Sequence, residues 1–341
     1  MKLVDLIFPQ NRIVSIVGTS KNAGKTVTLN EIISQADEKG IALGLISTGR
    51  DGERRDVLTE TDKPPIYVKR GTILTTVENA IKDDHAGIEI LQVTNYNTPM
   101  GRVVLAKARE DGYVEISGPH SSASIRQMCV EMQRLGADLV LVDGSLDRRA
   151  SAAPYISEGT VLATGAAMAR NMGTVIDKTV HIVETYGIEP VEDLEARELA
   201  RDIIEMGRVG IIDKDDSYRY LDMTTSLLSG REMAEEIDEN TAYVVLSGSA
   251  TAETLRSLLT SARGDYKIVV RDPTRIFISS RDLLILQRLG LKLRTVDSIN
   301  IISITVNPYS PEGYYFDPEE FLKKMRQAIP QVPVFDVMQG G

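Results

Sequence analysis

Near the start of the chain Gly18, Gly24, Lys25 and Thr26 stand as G-x-x-x-x-x-G-K-T, one residue longer than the pattern G-x-x-x-x-G-K-[ST]. The pattern describes a site for phosphate. Its two glycines allow positive φ and let the backbone approach an anion closely. The N–H groups of the loop, from Thr19, Ser20, Asn22 and Ala23 onward, form with the following helix N-terminus a concavity for phosphate oxygens. Lys25 is placed to carry an ammonium to the β- and γ-phosphates, and the Thr26 hydroxyl to reach Mg²⁺, which takes few protein ligands. Residues Gly18, Thr19, Ser20, Asn22, Ala23, Gly24, Lys25 and Thr26 are therefore the expected nucleotide-binding set, with ATP and Mg²⁺ as ligands. Chance alone produces such a pattern in about 1 in 100 chains of this length.

A second acid-bearing stretch lies at residues 138–144, where four apolar residues end in Asp143 and Gly144. This is the form of a Walker B strand, whose terminal carboxylate holds Mg²⁺ or its waters. Many buried strands end in Asp at a turn, so the phosphate loop upstream gives the pattern its weight. A third group is the charged loop 48–53, which contains Arg50, Asp51 and Glu53. Lys25, Asp51 and Asp143 form the expected catalytic set, and Thr26, Asp51 and Asp143 the expected metal set. Asp51 or Glu53 would orient the attacking water or bind a second substrate. Arg50, Arg148 or Arg149 would supply positive charge to the transition state, or else form ordinary salt bridges.

The elements needed to position these residues are legible around them. Residues 13–17 are an apolar run rich in Ile and Val, and residues 27–33 carry helical spacing, so the loop joins a buried strand to a helix. Residues 41–47, 87–96, 138–143 and 160–165 read as further strands, and 101–117 as a hairpin turned at Asp111-Gly112. Thr164-Gly165 either lines the crevice or lets the helix beginning at Ala166 pack closely. From about residue 208 strands and helices alternate again, as in parallel β–α units. Ser247-Gly248-Ser249 precedes a helix there, an anion site or, more simply, an N-cap. The expected architecture is α/β: a parallel-sheet P-loop domain over residues 1–207, then a second, smaller α/β domain over 208–341.

Composition narrows the function classes. The chain has 341 residues, a formal net charge of −10, 5% aromatic residues and no Trp. Neither a basic face nor a stacking platform for nucleic acid is expected on that background. Cys129, the one cysteine, reads as a small buried hydrophobe, so no disulfide framework exists and a reducing compartment is expected. No apolar run reaches the length of a membrane span and no secretory signal opens the sequence, which points to a cytoplasmic protein. His85, His120 and His181 are scattered without metal-ligand spacing. No Asn-Lys-x-Asp guanine-reading motif occurs, which favours ATP, and Asn307-Pro308 is a candidate adenine neighbour only by its place after a strand.

The form Gly18-Thr19-Ser20 followed by Ala23-Gly24-Lys25-Thr26 resembles the SIMIBI branch of P-loop proteins, and is similar to the loop of dethiobiotin synthetase and the ATP-dependent cobyrinate amidotransferases. The resemblance covers the first 180 residues and implies a parallel sheet and use of Mg-ATP. A homodimer is among the assemblies it allows. The dimerising subclass carries an extra lysine five positions before the invariant one; Ser20 stands there and Lys21 is one residue off, so no lysine reaching across a dimer is implied.

Segments 48–53, 142–149 and 306–311 together resemble the smaller reactivase subunit of lysine 5,6-aminomutase systems. That resemblance implies an ATPase acting with a MutS-like ATPase subunit to exchange damaged cobalamin on the aminomutase. Three function classes follow: a partner-remodelling ATPase, a small-molecule kinase or ligase of the dethiobiotin synthetase type, and a weakly hydrolysing nucleotide-dependent scaffold. The densely charged loops at 49–56 and 147–149 suit switch segments that read nucleotide state, and suit acidic small substrates too.

Overall fold

The computed structural model describes residues 2–48, 66–81, 86–99, 101–145, 152–222, 230–262 and 264–338. Arg50, Asp51, Glu53, His85, Arg148 and Arg149 lie outside them. The chain divides into two compact units, Met1–Val180 with Asn300–Gly341, and His181–Ile299.

The first unit contains, in chain order, α1 (Leu3–Ile7), β1 (Ile13–Gly18), α2 (Lys25–Glu38), β2 (Leu43–Ser47), β3 (Ile66–Val68), β4 (Ile73–Val77), β5 (Ile88–Thr98), β6 (Gly101–Ala108), β7 (Gly112–Val114), α3 (Ser122–Arg134), β8 (Leu139–Ser145) and β9 (Gly159–Gly165). Helix α4 (Met172–Tyr186) leads out of it. The second unit holds α5 (Leu194–Glu205), β10 (Gly210–Asp213), β11 (Tyr218–Tyr220), α6 (Gly230–Glu235), β12 (Thr241–Leu246), β13 (Ala250–Thr251), α7 (Ala252–Ser261), β14 (Lys267–Val270), β15 (Ile276–Phe277), α8 (Ser280–Arg288) and β16 (Leu293–Thr295). The chain then returns to the first unit with β17 (Ile301–Asn307), α9 (Pro318–Ala328) and β18 (Val334–Asp336).

The first unit is built on a nine-stranded mixed sheet in the order β18-β17-β9-β1-β8-β2-β4-β6-β5. Strands β18 through β4 in that order run parallel, while β6 is antiparallel to both β4 and β5. All six residues of β1 are buried, as a central parallel strand covered on both faces requires. Leu29, Ile32, Ile33 and Ala36 of α2 pack with Val14, Ile16, Leu139 and Leu141 on one face. Met128, Cys129 and Met132 of α3 pack with Ile13, Ile46, Val140 and Val142 on the other. Burial pushes the Cys129 thiol up to about 12, so it serves as core.

The second unit has a five-stranded sheet, order β11-β10-β12-β14-β16, in which β12, β14 and β16 are parallel and β10 is antiparallel to its neighbours. Period-two alternation sorts its side chains. Val244 and Leu246 face the cluster containing Leu255, Leu258 and Leu286, whereas Val245 faces Ala200, Ile203 and Ile204 of α5.

Three expectations are corrected here. The boundary does not fall at 207/208 with everything after it in one domain, because β17 pairs with β9 and β18 with β17. The 101–117 segment is not a hairpin: both edges of β6 are taken by β4 and β5, so β7 pairs with β3 instead. The helix expected at Ala166 starts at Met172, after a short 3-10 turn at Ala166–Met168, and the Asn171 side chain accepts from the Thr174 N–H at 3.0 Å. Among the described residues no helix is long and apolar enough to cross a membrane.

Candidate functional site

The site grows from the carboxyl end of β1. Gly18 closes that strand, and the Thr19 N–H still donates to the Ala163 carbonyl of β9 at 2.8 Å, so the loop leaves from a fixed point. Asn22 (φ 61°) and Gly24 (φ 98°) both take left-handed backbone, and the Ala23 N–H donates to the Ser20 carbonyl. Gly24 is the N-cap of α2 and, having no side chain, leaves the helix start without a side-chain cap. A helix opened this way keeps its first N–H groups and its positive dipole end available to an anion. The Ser20 hydroxyl is buried and has no hydrogen-bond partner among the described residues.

Lys25 and Thr26 occupy the first turn of α2. The lysine stem folds back over Gly18: a Cβ placed there would lie 2.9 Å from Lys25 Cγ and 3.2 Å from Cδ. Its ammonium then reaches Asp143 on β8, Nζ to Oδ1 2.8 Å, with side-chain exposures of 20% and 15%. Strand β8 lies directly between β1 and β2, with Asp143 in register beside Ile16 and Ser47. The Thr48 N–H donates to the Asp143 carbonyl at 3.0 Å, which pins that residue's backbone. Lys25 and Asp143, separated by 118 residues, are thus brought together, and Thr26 stands in the same helical turn as Lys25. The third residue expected with them, Asp51, lies outside the described residues.

No family model, curated protein or solved structure matches the chain. The site therefore rests on its own geometry.

Two features are weakly signalled in the sequence. One is a chain of buried hydroxyls. Thr19 Oγ1 donates to Thr164 Oγ1 at 3.0 Å, Thr164 and Thr179 Oγ1 are 2.9 Å apart, and Thr179 bonds the Val175 carbonyl at 2.8 Å. Thr164 thus braces the loop from beneath and joins it to α4. The other is Asn307 at the end of β17. A Cβ on Gly165 would lie 2.2 Å from the Asn307 carbonyl oxygen, and one on Gly24 would lie 3.0 Å from Asn307 Cβ. Glycine at both positions lets β17 close against the loop. Thr28 of α2 and Thr305 of β17 reinforce this with a buried 2.7 Å hydroxyl contact. Asn307 Oδ1 accepts from the Tyr309 N–H at 3.1 Å. A crevice of only about 10 Å³, lined by Gly24, Val27, Thr305, Asn307, Val337 and Met338, lies beside the helix start. Strand-end position was the signal for Asn307 and for Thr164-Gly165; nothing in the sequence singled out Thr179.

Proposed function

We propose that this protein is a Mg-ATP-binding P-loop ATPase whose nucleotide site is the loop Gly18–Thr26 with Asp143, in a P-loop domain accompanied by a second, smaller α/β domain. The observation that carries the reading is the combination of a helix start left uncapped by left-handed Gly24 with a lysine at its first position and an acid beside it on the next strand. Anion-binding backbone, a mobile cation and a carboxylate are the three parts phosphoryl transfer asks of a protein, since it needs positioning and charge neutralisation more than covalent chemistry.

The residues present suit magnesium. Asp143 already receives a cation, the Lys25 ammonium, and Thr26 adds a hydroxyl oxygen in the adjoining helical turn. Hard oxygen donors in small number are what Mg²⁺ takes. Bound there through Thr26 and Asp143, the ion would neutralise charge on the phosphates. Lys25 would turn from Asp143 to the β- and γ-phosphates, and the loop N–H groups, with the Ser20 hydroxyl, would hold their oxygens. Asn307, against Gly24, supports the nucleoside side of the site.

We further propose that nucleotide state is coupled to a partner protein, as the reactivase resemblance implies. The hydroxyl chain from Thr19 through Thr164 to Thr179 supports this, because it ties the phosphate loop to α4, which leads directly into the second unit. ATP turnover by the pure full-length protein tests the reading. Slow Mg²⁺-dependent hydrolysis is expected, lost in Asp143→Asn with nucleotide binding retained, and stimulated by a macromolecular fraction of cell extract. Turnover that survives Asp143→Asn contradicts the site assignment, and stimulation by a dialysable fraction points instead to a kinase or ligase acting on a metabolite.

A further inference from the structure

The three threonines beneath the phosphate loop form a line, and the line has a direction. A threonine hydroxyl carries one hydrogen and two lone pairs. Thr179 Oγ1 gives its hydrogen to the Val175 carbonyl, one turn back in α4, at 2.8 Å. Toward Thr164 Oγ1, 2.9 Å away, it is therefore an acceptor, and the Thr164 hydrogen is committed to it. With that hydrogen spent, Thr164 Oγ1 accepts from Thr19 Oγ1 at 3.0 Å. The Thr19 hydrogen thus points down to β9 and away from the anion side of the loop. Thr164 and Thr179 are fully buried and Thr19 is 4% exposed, so bulk water offers none of them a substitute partner.

We propose that Thr164 and Thr179 are positioning residues of the nucleotide site, holding the first residue of the phosphate loop through a proton-ordered chain of hydroxyls. The proposal rests on the nucleotide reading above and extends it to two residues outside the loop. The Thr19 N–H is held by Ala163 and its hydroxyl by Thr164, the next residue of the same strand, so backbone and side chain are tied to β9 together. The Thr19 hydroxyl is an anchor and not a donor to phosphate. Without its acceptor it becomes a buried donor lacking a partner, which the loop relieves only by moving. A set of N–H groups fixed before the anion arrives binds more tightly than one that must be ordered on binding. Thr179 acts one step further back: it takes the Thr164 hydrogen and so keeps the Thr164 oxygen open to Thr19.

Titration of the full-length protein with a fluorescent ADP analogue, mant-ADP, in Mg²⁺ tests this, with thermal melting as the check on folding. Thr164→Val keeps the shape and removes the hydroxyl; it is expected to bind about 10-fold more weakly than wild type, while Thr164→Ser, which keeps the hydroxyl, stays within about 3-fold. Thr19 and Thr179 meet through Thr164, so their effects should not add: the double variant Thr19→Val/Thr179→Val is expected to lose no more affinity than the worse of its two single variants. That cycle carries the test should Thr164→Val melt abnormally. Binding by Thr164→Val and Thr179→Val equal to wild type, or losses at Thr19 and Thr179 that add in full, overturns the positioning role while leaving the nucleotide site standing. Absence of binding by wild type overturns the nucleotide reading and the positioning role with it.

Discussion

Each unit contains a junction in which an inner parallel strand runs through a short glycine-containing segment into a helix, β1 to α2 in the first and β12 to α7 in the second. In both, residues after the strand are small and polar: Thr19-Ser20 in one, Ser247-Gly248-Ser249 in the other. The two helix starts differ. Thr251 caps α7, accepting from the Thr254 N–H at 3.3 Å, and β13 just before the helix is paired with β15. The positive end of α7 is satisfied from within. At α2 the cap is Gly24 in left-handed conformation, the next residue is a lysine, and an acid stands on the neighbouring strand. A helix N-terminus is left available to an anion when the chain withholds its own cap, and of these two junctions only the first does so. The N-cap role expected of Ser247-Gly248-Ser249 is corrected: Thr251, two residues beyond Ser249, caps the helix.

Substitutions at the two caps sharpen that contrast. Gly24→Ala forces a side chain into backbone at φ 98° and within 3.0 Å of Asn307 Cβ. A loss of ~1–3 kcal/mol in unfolding free energy is expected from the strain, together with weakened nucleotide binding, both measurable by denaturant titration with and without Mg-ATP. Full affinity in this variant would contradict the part assigned to the glycine. Thr251→Ala should cost about 1 kcal/mol through the lost cap and leave Mg-ATP affinity unchanged. An affinity change there would break the distinction between the junctions.

How much of this was legible beforehand follows from how local each signal is. The strand–loop–helix that carries the proposed phosphate site was readable because glycines, lysine and threonine sit within nine residues, flanked by apolar runs whose periods change from strand to helix. Asp143 was readable because four apolar residues announce a buried strand and the acid ends it. The return of β17 and β18 to the first sheet was hidden. Their apolar pattern is equally compatible with either sheet, and the pairing partner, β9, is separated from β17 by the whole second unit. The same separation hid the approach of Asn307 to Gly24. The assumed hairpin at 101–117 failed for a related reason: a turn signal at Asp111-Gly112 says where the chain bends, while the available strand edges decide what it pairs with. Thr164 and Thr179 are ordinary residues of a strand and a helix until the fold brings their hydroxyls to 2.9 Å.

The account stands most directly on whether Lys25 and its loop hold a triphosphate. Calorimetric titration of Mg-ATP into wild-type protein and Lys25→Ala, both confirmed folded by thermal melting, measures this. Saturable one-site binding by wild type, weakened at least about 100-fold by loss of the lysine, is the predicted result. Equal affinity in the two proteins, or no binding to wild type, would contradict it.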